Sequence, residues 1–387
     1  MILENTPQGV VAGSIPLFAG HPSHDLLPIA GVQRAVEAIW RGGNVTRLFD
    51  YGDEQGNPQL IDFLVERLNR VESLGITRDN LMIIGGSTWG VDMICDQLTR
   101  AGDVVLVDAP SYRDALHIFR DHHLDIRDIQ IDDGGVIVEE MERTLLALAG
   151  EGRVPKFYYV VPNFQNPTGI TMPESRRRAI VELGRRYGFA IVEDDVYHDI
   201  RFGDPLPPSF FELAAGENAL RIGTFSKTLA PGLRMGYLVA SADRIAGFVG
   251  SGVLTMGGGA NPFAAAILAE YCRSGAWEAH LQWLRGQYRQ RRDIALAALD
   301  SAMPAVVSYT RPGGGYFIWL RLPPVVGVAD LAERARMQNV YFAPGTGFYV
   351  NPEDGAHHLR LSFSFVPLDD LRGGIKILGR LIGEMSG

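Results

Sequence analysis

The sequence predicts an α/β protein, with a mostly parallel central sheet sandwiched by helices and a smaller α+β portion beside it. Three observations lead there. Short, continuously apolar, β-rich runs alternate with amphipathic stretches from about residue 55 to 240. Such runs suit strands buried on both faces, as in parallel sheets covered by crossover helices. Beyond residue 302 the pattern changes to two strand-like runs around one helical stretch.

The elements follow in order. A helix is expected at 28–42, framed by Gly- and Pro-rich arms. The candidate strands are LMII (81–84), VVLV (104–107), FYYVV (157–161), FAIVE (189–193), RIGTF (221–225) and GYLVA (236–240). Residues 90–100 should form the helix after the first strand. The stretch 173–188 places Ile180, Leu183 and Tyr187 on one helical face, with Pro173 just inside its start and Gly188 just past its end, the asymmetry that helices favour. Residues 245–269 carry no charge and are long enough to span a bilayer. Gly247, Gly250, Gly252 and the run 257–259 break that stretch, so it reads as a buried loop leading into a helix near Pro262. One long helix is expected over 262–300. YFIWLRL (316–322) and HLRLSFSF (358–365) then flank a helix at 329–338. The expected organisation is a large domain over 51–300 and a small domain over 301–387, of which the arm and helix of 1–50 form part.

Composition narrows the function. The 387 residues contain 36 Lys and Arg against 45 Asp and Glu, a formal charge of −9. An acidic balance argues against a nucleic-acid footprint, which needs a basic face to neutralise phosphates. An apolar fraction of 46% with 21% charged residues is globular. Cys95 and Cys272 are too few for a disulfide framework or a CxxC metal site, so a reducing, cytoplasmic setting is expected. The N-terminal residues lack a basic stretch before a long apolar core, so neither a signal peptide nor a membrane anchor is expected. No repeat or low-complexity tract is present.

Several chemistries fail on their motifs. No GxGxxG follows a strand and no GxxxxGK[ST] occurs. Around Ser87, Trp89 stands where a nucleophile elbow needs glycine. The nine histidines form no HExxH, so no metal site is expected.

The segment from Gly223 to Gly236, GTFSKTLAPGLRMG, survives this filter. A lysine at a strand end, among hydroxyls and few charges, can have its pKa lowered by desolvation and act as an amine nucleophile. Thr224, Ser226 and Arg234 offer hydroxyls and a cation suited to a phosphate dianion. Asn163–Gly169 and Glu193–Tyr197 follow successive strands, at the carboxyl ends where open α/β sheets place ligands. Asp194, if buried there, requires a cationic partner. Gly86-Ser87-Thr88 opens a helix whose N–H groups can cradle an anion.

These residues resemble the fold-type-I aminotransferases that use pyridoxal 5′-phosphate (PLP). SKTLAPGLRMGY, with NPTG and DDVY upstream, carries the resemblance, which extends from Tyr51-Gly52-Asp53 to Leu359-Arg360-Leu361. The nearest subgroup is the aminotransferase portion of MocR regulators together with kynurenine/2-aminoadipate aminotransferases. The resemblance implies that Lys227 holds PLP as an internal aldimine and then moves the α-proton. It implies that Asp194 pairs with the pyridinium nitrogen, and that Asn166 and Tyr197 bond the ring's phenolic oxygen. Tyr112 would stack on the ring. Ser87, Thr88, Thr224, Ser226 and Arg234 would hold the phosphate, with Tyr51 reaching the phosphate of a neighbouring subunit in a homodimer. Arg360 would bind the substrate α-carboxylate, beside Asn166, and Gly20 belongs to an arm over the site.

The sequence departs from that family at His21, where relatives usually carry a small or non-ionisable residue. An imidazole there suits a second acid/base, or a surface histidine on a mobile arm. Trp89 is expected to fill an apolar gap, and TMGGGAN (255–261) to form a loop near the partner subunit. The expected activity is amino-group transfer between an L-amino acid and a 2-oxo acid through a quinonoid. The alternative is a PLP-dependent lyase, cyclase or β/γ-replacement enzyme. A PLP-binding sensor is disfavoured by the acidic charge and the full set of catalytic residue types.

Overall fold

The computed structural model describes residues 13–43 and 45–387. Residues 1–12 of the stretch read for a leader lie outside them. The chain begins with strand β1 (Ile15–Pro16), helix α1 (Ile29–Arg41) and helix α2 (Pro58–Glu72). Asn57 caps α2 by accepting from the Leu60 N–H at 3.0 Å, with Pro58 in the first turn, where its missing N–H is not needed. Next come β2 (Leu81–Ile84), α3 (Ser87–Leu98), β3 (Val104–Ala109), α4 (Arg113–Asp121), β4 (Asp125–Asp132), β5 (Gly135–Val136) and α5 (Val138–Gly150). β6 (Phe157–Val160), α6 (Glu174–Tyr187), β7 (Ala190–Asp194), α7 (Phe210–Leu213), β8 (Ala219–Thr224) and β9 (Gly236–Val239) complete the alternation.

These strands form one eight-stranded sheet, ordered β2-β9-β8-β7-β6-β3-β4-β5. Pairings from β8 through β7, β6 and β3 to β4 are parallel, while β9 and β5 pair antiparallel with their neighbours. Side chains alternate between the faces. Met82, Ile84, Val105, Val107, Tyr159 and Val192 enter one apolar core. Leu81, Ile83, Val104, Leu106, Tyr158 and Ile191 enter the other. Each such side chain contributes roughly 1.5–3 kcal/mol. Both faces are therefore cores, which explains why these strands read as unbroken apolar runs.

The segment 245–269 is not a buried loop. It contains α8 (Ala242–Val249), the single turn α9 (Gly252–Thr255) and the start of α10 (Pro262–Arg273). Between them the chain is at the surface, with Met256 84% exposed. The long helix expected over 262–300 is also two, α10 and α11 (Ala276–Ala302), separated at Gly275 in the left-handed region at φ 78°. Helical spacing of apolar residues persists across that turn, so periodicity could not reveal the break.

A second sheet, β10-β11-β14-β13, is antiparallel and comprises β10 (Ser308–Tyr309), β11 (Phe317–Arg321), β13 (Ala343–Pro344) and β14 (His358–Ser362). Helix α12 (Val328–Met337) lies between its strands in sequence, and strand β12 (Val340–Tyr341) pairs parallel with β1. Helix α13 (Leu368–Ser386) closes the chain against α11. Among the described residues no helix is long and apolar enough to cross a membrane.

Candidate active site

Strands β3, β6, β7 and β8 run in one direction, and β2 shares it because β9 is antiparallel to both β2 and β8. Their carboxyl ends therefore meet at one edge. From that edge the chain delivers Ser87 and Thr88 after β2, Tyr112 after β3, Asn166 after β6, Asp194 and Tyr197 from β7, and Ser226 and Lys227 after β8. The second sheet brings Arg360 from the middle of β14, paired with Trp319 and Ala343. The segment after β1 brings Gly20 and His21. All of these line one cavity of about 220 Å³, together with Arg234.

Lys227 lies half-buried in the cavity wall. Its Nζ donates to the Gly20 carbonyl at 3.0 Å, and the Tyr316 hydroxyl donates to the Lys227 carbonyl at 2.6 Å. Burial, reinforced by the Arg360 charge, lowers its pKa to about 8, so about a tenth of the amine is neutral at pH 7. Asp194 is 3% exposed. Its Oδ2 accepts from the Tyr159 hydroxyl at 2.5 Å, whereas Oδ1 is buried without a partner. Burial raises this carboxyl to about 6.

Arg360 is held as a fork, with Nη1 donating to Asn166 Oδ1 at 2.7 Å and Nη2 to the Phe18 carbonyl at 2.7 Å. The guanidinium also lies 4.1 Å from the Phe317 ring centre, and burial lowers its pKa to about 10. The hydroxyls of Ser87 and Thr88 open α3, where unpaired N–H groups point outward. Gly86 precedes them at φ 93°, and a Cβ there would lie 2.5 Å from Arg234 Nη2. Only glycine lets the guanidinium come so close to this helix start.

Two expected members are placed differently. Thr224 does not line the cavity: still within β8, it accepts from the Ser226 N–H at 3.1 Å and meets the Ser226 hydroxyl at 3.0 Å. It braces Ser226 through these two contacts. Tyr51 is 89% exposed and borders a separate hollow near Gly257 and Pro262. Trp89 is part-buried against the large core, as expected. His21 is packed against its neighbours rather than lying free on the surface. Its carbonyl accepts from Ser364 Oγ at 2.8 Å, its ring meets Phe365 edge-on at 5.0 Å, and Nε2 is buried without a partner. Burial, with the charge of Lys227, lowers its pKa to about 4.

Sequence reading missed other parts of the wall. Phe18, Phe317, Phe342 and Phe348 form its apolar side, and Arg113 and Asp114 a charged one. Nothing in the pattern marks the phenylalanines, which arrive from the segment after β1, from β11 and from either side of β13. Arg113 and Asp114 directly follow Tyr112, and that adjacency was the available signal. No cluster of metal-ligating side chains occurs among the described residues.

The donor set suits PLP. An orphaned buried carboxylate oxygen fits a protonated ring nitrogen, a lysine of lowered pKa fits an aldehyde, and a helix start with a guanidinium and hydroxyls fits a phosphate. The comparisons agree. The aminotransferase class I and II family profile matches residues 15–377. Aromatic-amino-acid aminotransferase 1 of Thermococcus litoralis is 32% identical over 96% of this chain and 88% of its own. The 2-aminoadipate transaminase of Thermus thermophilus is 30% identical over 96% and 90%. The crystal structure of a Pyrococcus horikoshii kynurenine aminotransferase superposes with a TM-score of 0.92 at 34% identity, covering 97% of this chain and 92% of that one.

Proposed function

Because the chain belongs to the class I and II aminotransferases, PLP-dependent enzymes of fold type I that move amino groups between amino acids and 2-oxo acids, we propose a role for each residue of its cavity. When bound, PLP supplies the carbonyl that captures an amine and the ring that stores the α-carbon electron pair. Lys227 Nζ is the amine that holds it, and later the base that takes the substrate α-proton; a pKa near 8 serves both roles. Asp194 Oδ1 accepts from the ring N–H and keeps that nitrogen protonated. Tyr197 and Asn166 would offer hydrogen bonds to the ring's phenolic oxygen, and Tyr112 an aromatic surface against the ring. Ser87, Thr88, Ser226 and Arg234 hold the phosphate, with Thr224 steadying Ser226. Arg360 orients the substrate α-carboxylate, a bidentate task that its planar fork suits. Gly20 places the arm that excludes water above Lys227.

The observation that carries this reading is the convergence of the Asp194 orphan oxygen, the depressed lysine and the Arg360 fork in one cavity. The exposed Phe49, Tyr51, Val253 and Met256 support a homodimer in which Tyr51 reaches the partner's phosphate. Two buried free thiols, Cys95 and Cys272, support a cytoplasmic protein. The test is spectroscopic. Protein loaded with PLP should absorb near ~420 nm, and Lys227→Ala should lose that band. Addition of an amino acid donor should convert it to the pyridoxamine form with release of an oxo acid. Absence of the band in wild-type protein given PLP refutes the reading.

One observation favours a second reading, a lyase or cyclase: the pinned imidazole of His21, a second base beside Lys227. Turnover of an amino acid without any oxo-acid acceptor would establish it.

A further inference from the structure

The turn that follows β7 faces two ways. Asp194 and Tyr197 line the cavity, whereas Asp195 and His198, each the next residue in the chain, do not. The Asp195 carboxylate is fully buried and the His198 side chain 13% exposed. Asp195 is a hub. Its Oδ1 accepts from Asn163 Nδ2 at 2.7 Å, and its Oδ2 from Arg221 Nη2 at 2.8 Å and from His198 Nδ1 at 3.0 Å. Its N–H donates to the Ile222 carbonyl at 3.0 Å. One carboxylate thus ties the segments leaving β6 and β7 to strand β8, which between them deliver Asn166, Asp194, Tyr197 and Lys227.

The groups facing the His198 ring are Asp195, Glu72 at the end of α2, Arg221 of β8 and Asp199. Arg221 also donates to Glu72, whose Oε1 lies 3.6 Å from His198 Nε2. Asp199 is paired with Arg67, and Glu193 lies 4.0 Å from Arg177. With Glu72 and Asp195 ionised, the charges of the cluster balance when His198 is protonated. Burial opposes that charge, but Glu72 and Asp195 outweigh it and raise the imidazole pKa.

We propose that His198 is a positioning residue for the cofactor ring: its bond to Asp195 fixes, from the side away from the ligand, the turn that presents Tyr197. The proposal rests on the assignment of Tyr197 to the phenolic oxygen. Tyr197 and His198 share one peptide unit, so displacement of the imidazole passes directly to the phenol. Backbone contacts within the turn are modest: the Ile200 N–H donates to the Tyr197 carbonyl at 2.8 Å, and the His198 N–H reaches the Asp195 carbonyl at 3.4 Å. The bond between imidazolium and carboxylate is charge-assisted, roughly twice as strong as a neutral one.

Absorbance of the PLP-loaded protein reads the aim of Tyr197 without turnover. A hydroxyl that donates to the phenolic oxygen draws off negative charge that would otherwise keep a proton on the lysine-linked nitrogen, so the ~420 nm band fades at a lower pH. Tyr197→Phe should therefore preserve the band to a pH about one unit higher. The amide of His198→Asn can place its N–H where Nδ1 stands, whereas that of His198→Gln extends toward Glu72, and neither carries the charge. His198→Gln should raise the fading pH by about half a unit or more, and His198→Asn should leave it within ~0.2 unit of wild type. Adding His198→Gln to Tyr197→Phe should shift it no further, because residues acting through one contact are not additive. Loss of PLP binding in the Gln variant beside a normal Asn variant also supports the positioning role. Equal shifts in the two His198 variants, no shift in either, additive shifts in the double variant, or failure of both to fold overturns the proposal and leaves the aminotransferase reading standing. Absence of the absorbance band in wild-type protein overturns both.

Discussion

Asp194→Asn should change stability in opposite directions with and without cofactor. Burial raises the carboxyl from 3.8 to about 6. At about 1.4 kcal/mol per tenfold change in proton affinity, ionising it in the empty protein at neutral pH costs about 3 kcal/mol. Asparagine keeps the shape and an oxygen for the Tyr159 hydroxyl but carries no charge. Empty variant should therefore exceed empty wild type in stability by about 3 kcal/mol at pH 7. The sign follows from linkage. For an acid with a raised folded pKa, the native state is favoured at low pH and loses that advantage as pH rises through about 6. Below 3.8 the two empty proteins should coincide. With PLP bound the order reverses, because the ring nitrogen loses its counter-ion. Cofactor affinity should fall roughly a hundredfold or more. Urea unfolding of the empty proteins across pH, with absorbance titration by PLP, measures both. An empty variant no more stable at pH 7, or a difference persisting below pH 4, would refute the reasoning.

Other outcomes follow from single contacts. Gly86→Ala places a methyl 2.5 Å from Arg234 Nη2 at φ 93°. It should cost about 1–2 kcal/mol of backbone strain and weaken PLP at least tenfold, seen as a raised Kd. Arg360→Lys keeps the charge but loses the fork to Asn166 and Phe18. KM for amino acid donors should rise roughly a hundredfold, with PLP affinity within about twofold. His21 should titrate near 4 by nitrogen NMR of labelled histidine. Its depressed pKa makes it a stabilising neutral group that is lost as pH falls through that value. A transition at 6.5 would show that the ring is solvated.

The site was legible where its chemistry is local in the chain. Ser226 and Lys227 follow one strand, Asn166 and Asp194 others, and open sheets gather such residues at one edge. Thr224 stands behind Ser226 rather than in the cavity wall, a placement that hydroxyl type alone does not reveal. Tyr51 was assigned by resemblance, and within this chain it lies outside the cavity. Asp114 was passed over because an acid in the first turn of a helix is ordinarily explained by the helix dipole. The break at Gly275 and the helix at Ala242–Val249 escaped for a related reason. Both segments mix buried residues with exposed ones, and apolar spacing by itself does not mark where a helix starts or stops.

By itself the sequence determined the alternation of buried strands and helices, the net acidic charge and the position of Lys227 just after a strand. These depend on residue type and near neighbours. Only the tertiary structure decided that Asp194 keeps one oxygen unpaired, that burial pulls the Lys227 amine down to about 8, and that His21 packs against Phe365. It also decided that Arg360, from a second sheet, meets Asn166 from the first. Desolvation and charge coupling arise between segments far apart in the chain, so they exist only once the two sheets have packed around the same cavity.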